Sequence, residues 1–235
     1  MSDVLYIVMP AYNEEANIES VVRSWYPMLS GKDPASRLVV ADSGSTDSTH
    51  LILNRLCDTL PQLKILSGTG KQHGPKVIAL YRHAVEQGAD YIFQTDSDGQ
   101  TEPAEFPAFW NNRKKYDGIF GKRLVREDGQ DRAFVEKVVC FLLFLYFRVA
   151  LPDANAPFRL MKADTVKKYL PRMSEDYNLP NIMITTWFAY YKERIIFRPI
   201  SFRPRQGGTN SVDLVKIVKI GWKALEDFKG FREEM

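Results

Sequence analysis

The sequence predicts an α/β fold in which a mostly parallel sheet carries helices on both faces. Short apolar runs alternate with helical patterns through the first half of its 235 residues. Polar residues follow three of the apolar runs directly. Repeated strand–helix units of this length are typical of parallel sheets. Ligands of such sheets bind beyond the carboxyl ends of the strands, so we expect the polar residues to meet in one crevice.

The first half is predicted to contain four strands and three helices. Asn13, Glu14 and Glu15 open the first helix, where the helix dipole favours acidic residues. A turn at residues 43–47 caps the second helix. The third helix covers residues 75–87. The predicted strands are residues 4–9, 37–41, 64–66 and 91–95.

The second half shows a less regular pattern. It contains no internal repeat and no low-complexity linker, so we expect a single domain over residues 1–235, with halves meeting near residue 121. The predicted strands are residues 118–121, 158–161 and 195–200, and the predicted helices are residues 102–112, 132–150, 182–192 and a C-terminal helix from residue 212.

Composition excludes several classes of protein. The chain is 45% hydrophobic and 26% charged, as globular proteins are, and its net charge of +3 is too small to suggest a nucleic-acid partner. Cys57 and Cys140 are far apart in apolar contexts, which favours a reducing compartment. The N-terminal apolar run is too short for a signal peptide. A cytoplasmic protein is predicted, and a homo-oligomer is left open.

The most informative residues are Asp96 and Asp98, which directly follow a predicted strand. Two carboxylates one residue apart offer hard oxygen ligands to Mg²⁺ or Mn²⁺, which complete their shells with water and phosphate oxygens. A nucleotide diphosphate is therefore the expected ligand. Asp-Ser-Asp-Gly is also an ordinary turn sequence. Asp42 ends another strand, and its acceptor-only carboxylate suits an imide N–H of uracil or guanine, whereas Asp47 is interpreted as a helix cap.

Three motifs together resemble the signature of family 2 glycosyltransferases, which have the Rossmann-like GT-A fold. Within that family the chain looks most like the dolichol-phosphate mannosyltransferase and polyprenyl-phosphate glycosyltransferase branch. The family motifs are Val8-Met9-Pro10-Ala11-Tyr12-Asn13-Glu14-Glu15, Val40-Ala41-Asp42-Ser43-Gly44-Ser45-Thr46-Asp47 and Asp96-Ser97-Asp98-Gly99-Gln100. The features shared with the branch are Gln100 and residues 121–123, 153–161 and 205–211.

The resemblance implies an enzyme whose donor is a UDP- or GDP-sugar bound in the first half, with the acceptor bound in the second. Mg²⁺ or Mn²⁺ would be the cofactor. Asp42 would hydrogen-bond the base, and Lys76 can reach a phosphate. The residues that would line the nucleotide pocket are Pro10, Tyr12 and Glu14, and those that would hold the metal are Asp96, Asp98 and Gln100.

The nature of the acceptor decides the rest of the mechanism. A lipid phosphate is already anionic, so an inverting transfer of a hexose needs no general base but needs arginines to gather the anion. The expected catalytic residues are therefore Asp96 and Asp98 with Arg123 and Arg205, supported by the nearby Arg126, Arg132 and Arg203. A sugar hydroxyl as acceptor would instead need a base. The resemblance makes Glu175 or Asp176 the candidate, because many hydroxyl-directed members of the family carry a Glu-Asp pair in this region. A non-catalytic nucleotide-sugar-binding scaffold is the third hypothesis.

Two segments predict contact with a membrane surface. The apolar run of residues 138–147 lies between Lys137 and Arg148 and is too short to cross a bilayer. From residue 212, apolar residues that include Phe228 recur at helical spacing among lysines, which is typical of an interfacial helix and also of a helix that covers a core. We expect a peripheral protein at the inner face of a membrane.

Overall fold

A computed structural model describes residues 2–124, 130–204 and 226–232 of the chain. These residues form one seven-stranded sheet with helices on both faces. The strands are β1 (Leu5–Ala11), β2 (Arg37–Asp42), β3 (Leu63–Leu66), β4 (Tyr91–Thr95), β5 (Gly118–Arg123), β6 (Phe158–Lys162) and β7 (Ile195–Ile200). The helices are α1 (Ile18–Trp25), α2 (Thr49–Thr59), α3 (His73–Glu86), α4 (Phe106–Trp110), α5 (Gln130–Phe147), α6 (Ala163–Tyr169) and α7 (Pro180–Tyr190), and residues 226–232 are also helical.

The sheet has the strand order β3-β2-β1-β4-β6-β5-β7. β6 is antiparallel to both of its neighbours, and the remaining pairs are parallel. The predicted mostly parallel α/β architecture is therefore confirmed.

The reversed direction of β6 follows from the path of the chain after α5. The backbone N–H of Ala154 donates to Glu136 near the start of α5, at 2.8 Å. The loop after α5 has thus returned to the edge at which β5 ends, and β6 enters the sheet from there. Phe158 at the start of β6 pairs with Thr95 at the end of β4.

The core consists of two layers, one on each face of the sheet. Successive side chains of a strand point to opposite faces. Tyr6 and Val8 of β1 accordingly pack with residues of α3, α6 and α7, whereas Leu5, Ile7 and Met9 pack with residues of α1, α2 and α4. The sheet is therefore covered on both faces, and its open edge is available for a ligand.

Several elements differ from their predicted bounds. β1 continues to Ala11, and the short helix α6 was not predicted because its seven residues have no long apolar period. α5 ends at Phe147, since Arg148 adopts a left-handed φ of 58°. Among the described residues, no helix is long and apolar enough to cross a membrane.

The predicted C-terminal helix is only partly described, because residues 205–225 lie outside the described ranges. Phe228, which was predicted to lie on its apolar face, is 1% exposed. Its ring lies 5.8 Å from that of Phe147 and 6.3 Å from that of Tyr146. The prediction that Phe228 meets a membrane is therefore wrong, and its side chain completes the core beside α5.

Candidate active site

The acidic pair lies in a tight loop at the carboxyl end of β4. Every residue of β4 is buried, because the strand is flanked by β1 and β6. The hydroxyl groups of Thr95 and Thr101 lie 2.6 Å apart and close the loop at its base. Ser97 donates to the carbonyl oxygen of Pro10 at 2.8 Å. These contacts hold the acidic loop against the end of β1.

Asp96 is contacted by a histidine and a glutamine side chain. Its Oδ1 lies 3.2 Å from His73 Nε2 and accepts a 3.0 Å hydrogen bond from Gln94 Nε2. The side chain of Asp96 is 26% exposed, so part of the carboxylate faces open space. Asp98 Oδ1 accepts a hydrogen bond from the backbone N–H of Gln100 at 3.1 Å. The two carboxylates thus belong to one loop and remain accessible.

Gln100, the third predicted metal ligand, is buried beside them. Its Nε2 donates to the carbonyl oxygen of Arg203 at 2.8 Å, and the N–H of Arg203 donates back to the Gln100 carbonyl at 2.9 Å. These bonds join the segment after β7 to the acidic loop. Arg203 itself forms an ion pair with Glu102. The ligand role of Gln100 remains a prediction, because its amide oxygen is still able to coordinate a metal.

Asp42 ends β2 and is buried among polar partners. Its Oδ1 accepts a 2.5 Å hydrogen bond from Ser45 Oγ, and its Oδ2 lies 3.1 Å from His50 Nδ1. Each carboxylate oxygen can accept more than one hydrogen bond, so Asp42 retains capacity for a base N–H. Its position at the strand end was predicted, and its role in binding the base remains a prediction.

Lys76 is 1% exposed in α3 and points towards the end of β1. Its Nζ donates to the carbonyl oxygen of Ala11 and lies 5.1 Å from the centre of the Tyr12 ring. Burial lowers the pKa of Lys76 to about 8, and the nearby Asp42 carboxylate partly offsets that effect. A lysine with this pKa is mostly protonated at neutral pH. It therefore supplies a positive charge at the end of β1, near Asp42.

The loops that follow β1 and β2 hold each other in place. Asn13 has a left-handed φ of 54°, which its side chain supports by accepting a 2.8 Å hydrogen bond from the N–H of Thr46. Asp47 accepts hydrogen bonds from the N–H groups of Thr49 and Glu15, which lower its pKa, although burial acts in the opposite direction. The N-cap residue of α2 is Ser48, and Asp47, one residue before it, binds the N–H of the first helical residue and also braces the neighbouring loop.

Glu14 is buried under this pair of loops. Its Oε2 accepts a hydrogen bond from Asn17 Nδ2 at 3.0 Å, and its backbone N–H donates to Thr49 Oγ1 at 2.8 Å. Pro10 and Tyr12 lie next to it at the end of β1, and Tyr12 is 38% exposed. The predicted pocket residues are thus gathered at one edge of the sheet, where Tyr12 presents its ring to solvent.

Arg123 lies at the end of β5 and is engaged by acidic side chains. It forms a two-point ion pair with Asp153, in which both N–O distances are 2.8 Å, and it lies 3.5 Å from Glu136. The side chains of Arg123 and Asp153 are each only 5% exposed. The structure thus assigns Arg123 a role in holding the loop after α5, and its role towards an acceptor remains a prediction. Arg126 and Arg205 lie outside the described residues, as does the side chain of Arg132.

The two candidate bases of the alternative mechanism occupy different surroundings. Glu175 is exposed and forms an ion pair with Arg82. Arg82 follows His73 by nine residues, or about 13 Å along α3. Asp176 precedes Tyr177, whose backbone packs against Gly74 so closely that a Cβ there would clash. Asp176 is therefore the better placed of the two.

Sequence reasoning missed three residues that contact the acidic loop or support it. His73, at the start of α3, has its ring beside Asp96. Gln94 and Asn181 are buried and form a hydrogen-bonded chain that ends on the same carboxylate. The position of Gln94 two residues before Asp96 on a strand was the only local signal. Asn181 gave no local signal, because it lies 87 residues after Gln94 in the sequence.

Comparison with known proteins identifies relatives of this chain in sequence and in fold. Residues 6–199 match the family model described as Glycosyl transferase family 2. The undecaprenyl-phosphate mannosyltransferase of Micrococcus luteus is 27% identical over 217 residues, which are 87% of this chain and 86% of that enzyme. The glucosyl-3-phosphoglycerate synthase of Mycobacterium tuberculosis is 35% identical over 100 residues, which are 39% of this chain but only 28% of the synthase.

A crystal structure of that synthase in complex with Mn²⁺, UDP and glucosyl-3-phosphoglycerate is also similar. The TM-score is 0.70 at 18% sequence identity, and the match covers 98% of this chain and 80% of the synthase. At this identity the similarity shows the fold alone. It is the GT-A architecture that the sequence motifs predicted.

Proposed function

Because the chain belongs to glycosyl transferase family 2, we propose that it is a metal-dependent, inverting hexosyltransferase. The donor is a UDP- or GDP-sugar, and the acceptor is a polyprenyl or dolichyl phosphate. The observation that carries the proposal is the meeting of buried Asp42, buried Lys76 and partly exposed Asp96 at one edge of the sheet. The match to an undecaprenyl-phosphate mannosyltransferase over most of both chains supports the lipid acceptor.

The acidic loop fits a divalent cation. Among the described residues there is no cluster of three or more His, Cys, Asp or Glu side chains that could hold a metal. Mg²⁺ or Mn²⁺ bound with a diphosphate needs only one or two protein carboxylates, which Asp96 and Asp98 provide with Gln100 beside them. When bound, the metal stabilises the leaving diphosphate as a Lewis acid. The Mn²⁺ and UDP of the structurally similar synthase are consistent with this cofactor.

The donor nucleotide binds across the ends of β1 and β2. Asp42 accepts a hydrogen bond from the base, and the Tyr12 ring and the Pro10 and Glu14 backbone line the pocket. Lys76 contacts the end of β1 near Asp42 and Tyr12, where it can meet the diphosphate of the donor. Its positive charge attracts that anion.

The acceptor phosphate approaches from the side of the segment after β7. Arg203 is bound through its backbone to Gln100, so this arginine lies beside the acidic loop. Arg123 contributes from the end of β5 while Asp153 holds it. An anionic acceptor attacks the anomeric carbon directly, so the transfer inverts its configuration without a covalent enzyme intermediate.

A sugar or other hydroxyl acceptor is the second candidate. The observation that favours it is the packing of the Asp176 segment against Gly74, next to His73 and the acidic loop. Asp176 then serves as the general base, whereas Glu175 is paired with Arg82. A non-catalytic scaffold is disfavoured because both carboxylates of the metal site are present.

The proposed location is the inner face of a membrane, with the protein held peripherally in the cytoplasm. One face of α5 exposes large apolar side chains, and Phe141 is 59% exposed. The other members of this apolar face are Val138, Phe144 and Leu145, with the exposed Lys137 and Arg148 at its ends. Apolar side chains bordered by cations suit the boundary of an anionic leaflet.

The direct test is a transfer assay with separate acceptors. The protein is incubated with Mn²⁺, with labelled UDP- and GDP-sugars in turn, and with either a polyprenyl phosphate or soluble saccharides and 3-phosphoglycerate. We expect label to enter the organic phase only with the polyprenyl phosphate, and Asp96→Ala to abolish the transfer. Label that enters only a soluble product would replace the lipid acceptor by the hydroxyl acceptor.

A further inference from the structure

A hydrogen-bonded chain runs through the protein interior and ends on Asp96. It begins at Tyr81 of α3, whose OH donates to Asn181 Oδ1 at 2.8 Å. Asn181 Nδ2 donates to Gln94 Oε1 at 3.1 Å, and Gln94 Nε2 donates to Asp96 Oδ1 at 3.0 Å. Tyr81, Asn181 and Gln94 are each no more than 2% exposed. Only the last member, Asp96, reaches the surface of the site.

All the donors in this chain point in the same direction. Each amide accepts a hydrogen bond on its oxygen and donates one from its nitrogen, so every bond polarises the next towards the carboxylate. Such an arrangement stabilises negative charge on Asp96 and fixes the orientation of its Oδ1. The other oxygen of the carboxylate receives no bond from this chain.

The chain is anchored to the second half of the protein through Arg159. This guanidinium is fully buried and donates to the carbonyl oxygen of Asn181 at 2.9 Å. It also donates to the carbonyl oxygen of Ala156, at 2.9 Å from Nη2. Ala156 belongs to the loop that carries Asp153, the partner of Arg123. One buried cluster therefore connects Asp96 with the loop on which Arg123 depends.

We propose that Gln94 and Asn181 are positioning residues that orient Asp96 for the metal. The inference rests on the proposed function, in which Asp96 is a metal ligand. Groups that hydrogen-bond a ligating carboxylate commonly change metal affinity 10- to 100-fold when they are removed. Here Asn181 acts on the metal site through Gln94, because it makes no contact of its own with Asp96 among the hydrogen bonds of the described residues.

The test is Mn²⁺ binding to the purified protein in the presence of UDP, followed by electron paramagnetic resonance. Gln94→Leu and Asn181→Leu should each weaken Mn²⁺ binding about tenfold. Because Asn181 works through Gln94, the double variant should bind Mn²⁺ no more weakly than Gln94→Leu alone. Thr186→Val is the matched control, since Thr186 is buried on the same helix and its hydroxyl donates to the Ile182 carbonyl. It should leave Mn²⁺ affinity unchanged.

Tyr81→Phe is a second test of the same hydrogen-bonded chain, to be used if a leucine variant does not fold. It removes one oxygen from the far end of the chain and should weaken Mn²⁺ binding about threefold. Tyr177→Phe is its control, because the buried Tyr177 hydroxyl has no hydrogen-bond partner among the described residues. Melting temperatures of all variants separate a loss of metal affinity from a loss of folding.

The outcomes separate this proposal from the proposed function. If Asp96→Ala loses Mn²⁺ while Gln94→Leu, Asn181→Leu and Tyr81→Phe bind it as tightly as their controls, the positioning role is overturned and the metal site stands. If losses in the double variant are fully additive, the two residues do not act in series. Failure of the wild-type protein to bind Mn²⁺ with UDP or GDP would overturn both proposals.

Discussion

At the scale of single residues, the molecule separates side chains that are committed to structure from those left open to a ligand. Asp47 accepts a hydrogen bond from the N–H of Glu15 in the neighbouring loop, and the Glu14 carboxylate accepts one from Asn17. Asp96 has partners too, yet a quarter of its side chain remains exposed. This combination of fixed orientation and open access is what a metal-binding carboxylate requires.

Asp98 provides the simplest test at this scale. Replacing Asp98 with Ala removes one of at most two carboxylate ligands, so the rate should fall by about 10²-fold or more. The measurement is the initial transfer rate at saturating Mn²⁺, with EDTA as the metal-free reference. Asp58→Ala, at an exposed position on α2, serves as the control and should retain full activity. Near-normal turnover of Asp98→Ala in EDTA would refute metal-assisted departure.

The ionisation of Lys76 predicts that kcat/KM for the nucleotide sugar depends on pH. The pKa of Lys76 in the free protein is about 8, so the ammonium is present below that pH and is lost as the pH rises through it. Attraction for the donor diphosphate should therefore weaken above about pH 8. The kcat/KM for the nucleotide sugar, measured from pH 6.5 to 9.5, should fall through this range because it reports ionisation of the free enzyme.

The variant Lys76→Met should raise the KM for the donor and should remove this step from the pH profile. Methionine retains most of the apolar volume of the lysine stem. A profile of the variant that still falls near pH 8 would assign the ionisation to another group. The metal dependence of the variant should be unchanged, which distinguishes diphosphate binding from loss of the acidic loop.

At the scale of secondary-structure elements, contacts between segments that are far apart in the sequence fix the positions of strand ends. β5 ends at Arg123, and the loop before β6 supplies Asp153, 30 residues later. Both side chains are almost fully buried, and the backbone N–H of Arg123 also donates to Asp153 at 3.2 Å. This pair therefore joins β5 to the loop that leads into β6.

Removing one member of the pair should destabilise the fold. Asp153→Ala leaves a buried guanidinium with Glu136 as the remaining acidic partner, so the free energy of unfolding should fall by about 3 kcal/mol. Urea unfolding measures this loss. Lys168→Ala, which breaks an exposed pair with Glu193, should change it by less than about 1 kcal/mol. The double variant Arg123→Met/Asp153→Leu should recover much of the lost stability if desolvated charge is the cause.

The apolar face of α5 predicts a membrane contact for that element. Phe141→Glu replaces a large exposed apolar side chain with an anion, and binding to anionic vesicles should weaken about tenfold. Flotation with vesicles of varied phosphatidylserine content measures this binding. Leu51→Glu is the matched control, because Leu51 is 66% exposed on α2, which packs on the opposite face of the sheet. An equal loss of vesicle binding in both variants would show that the change in net charge, and not the apolar face of α5, is responsible.

At the scale of the whole molecule, the sheet brings together residues from both halves of the chain. Strand β6 runs between β4 and β5, so the loop before it and the acidic loop after β4 lie at the same edge. The segment after β7 reaches this edge as well, through the bonds between Gln100 and Arg203. In the proposed function, residues of the donor side and of the acceptor side therefore act on one reacting centre.

This arrangement predicts the stereochemical outcome of the transfer. A lipid phosphate held on the acceptor side attacks the anomeric carbon opposite the leaving diphosphate, and its configuration inverts in one step. NMR of the glycosyl phosphate product, compared with the donor, measures the outcome. Retention of the donor configuration would contradict direct displacement and would require a different role for the residues around Asp96.

The sequence by itself determined the mostly parallel α/β architecture and the positions of Asp42, Asp96 and Asp98 at strand ends. These features are local: each strand and the polar residues after it are neighbours in the chain, so periodicity and motif are enough to predict them. The same reasoning placed Asp47 beside the start of α2, because a capping side chain lies within a few residues of the helix that it serves.

Only the tertiary structure decided the direction of β6, the burial of Phe228, the Arg123–Asp153 pair and the chain from Tyr81 through Asn181 and Gln94 to Asp96. Each depends on contacts between residues that are tens of positions apart, and up to 100 in the case of Tyr81 and Asn181. A lone polar residue in an apolar run gives no local sign of its partner. Its role emerges only when folding excludes water and the buried group must find a hydrogen bond within the protein.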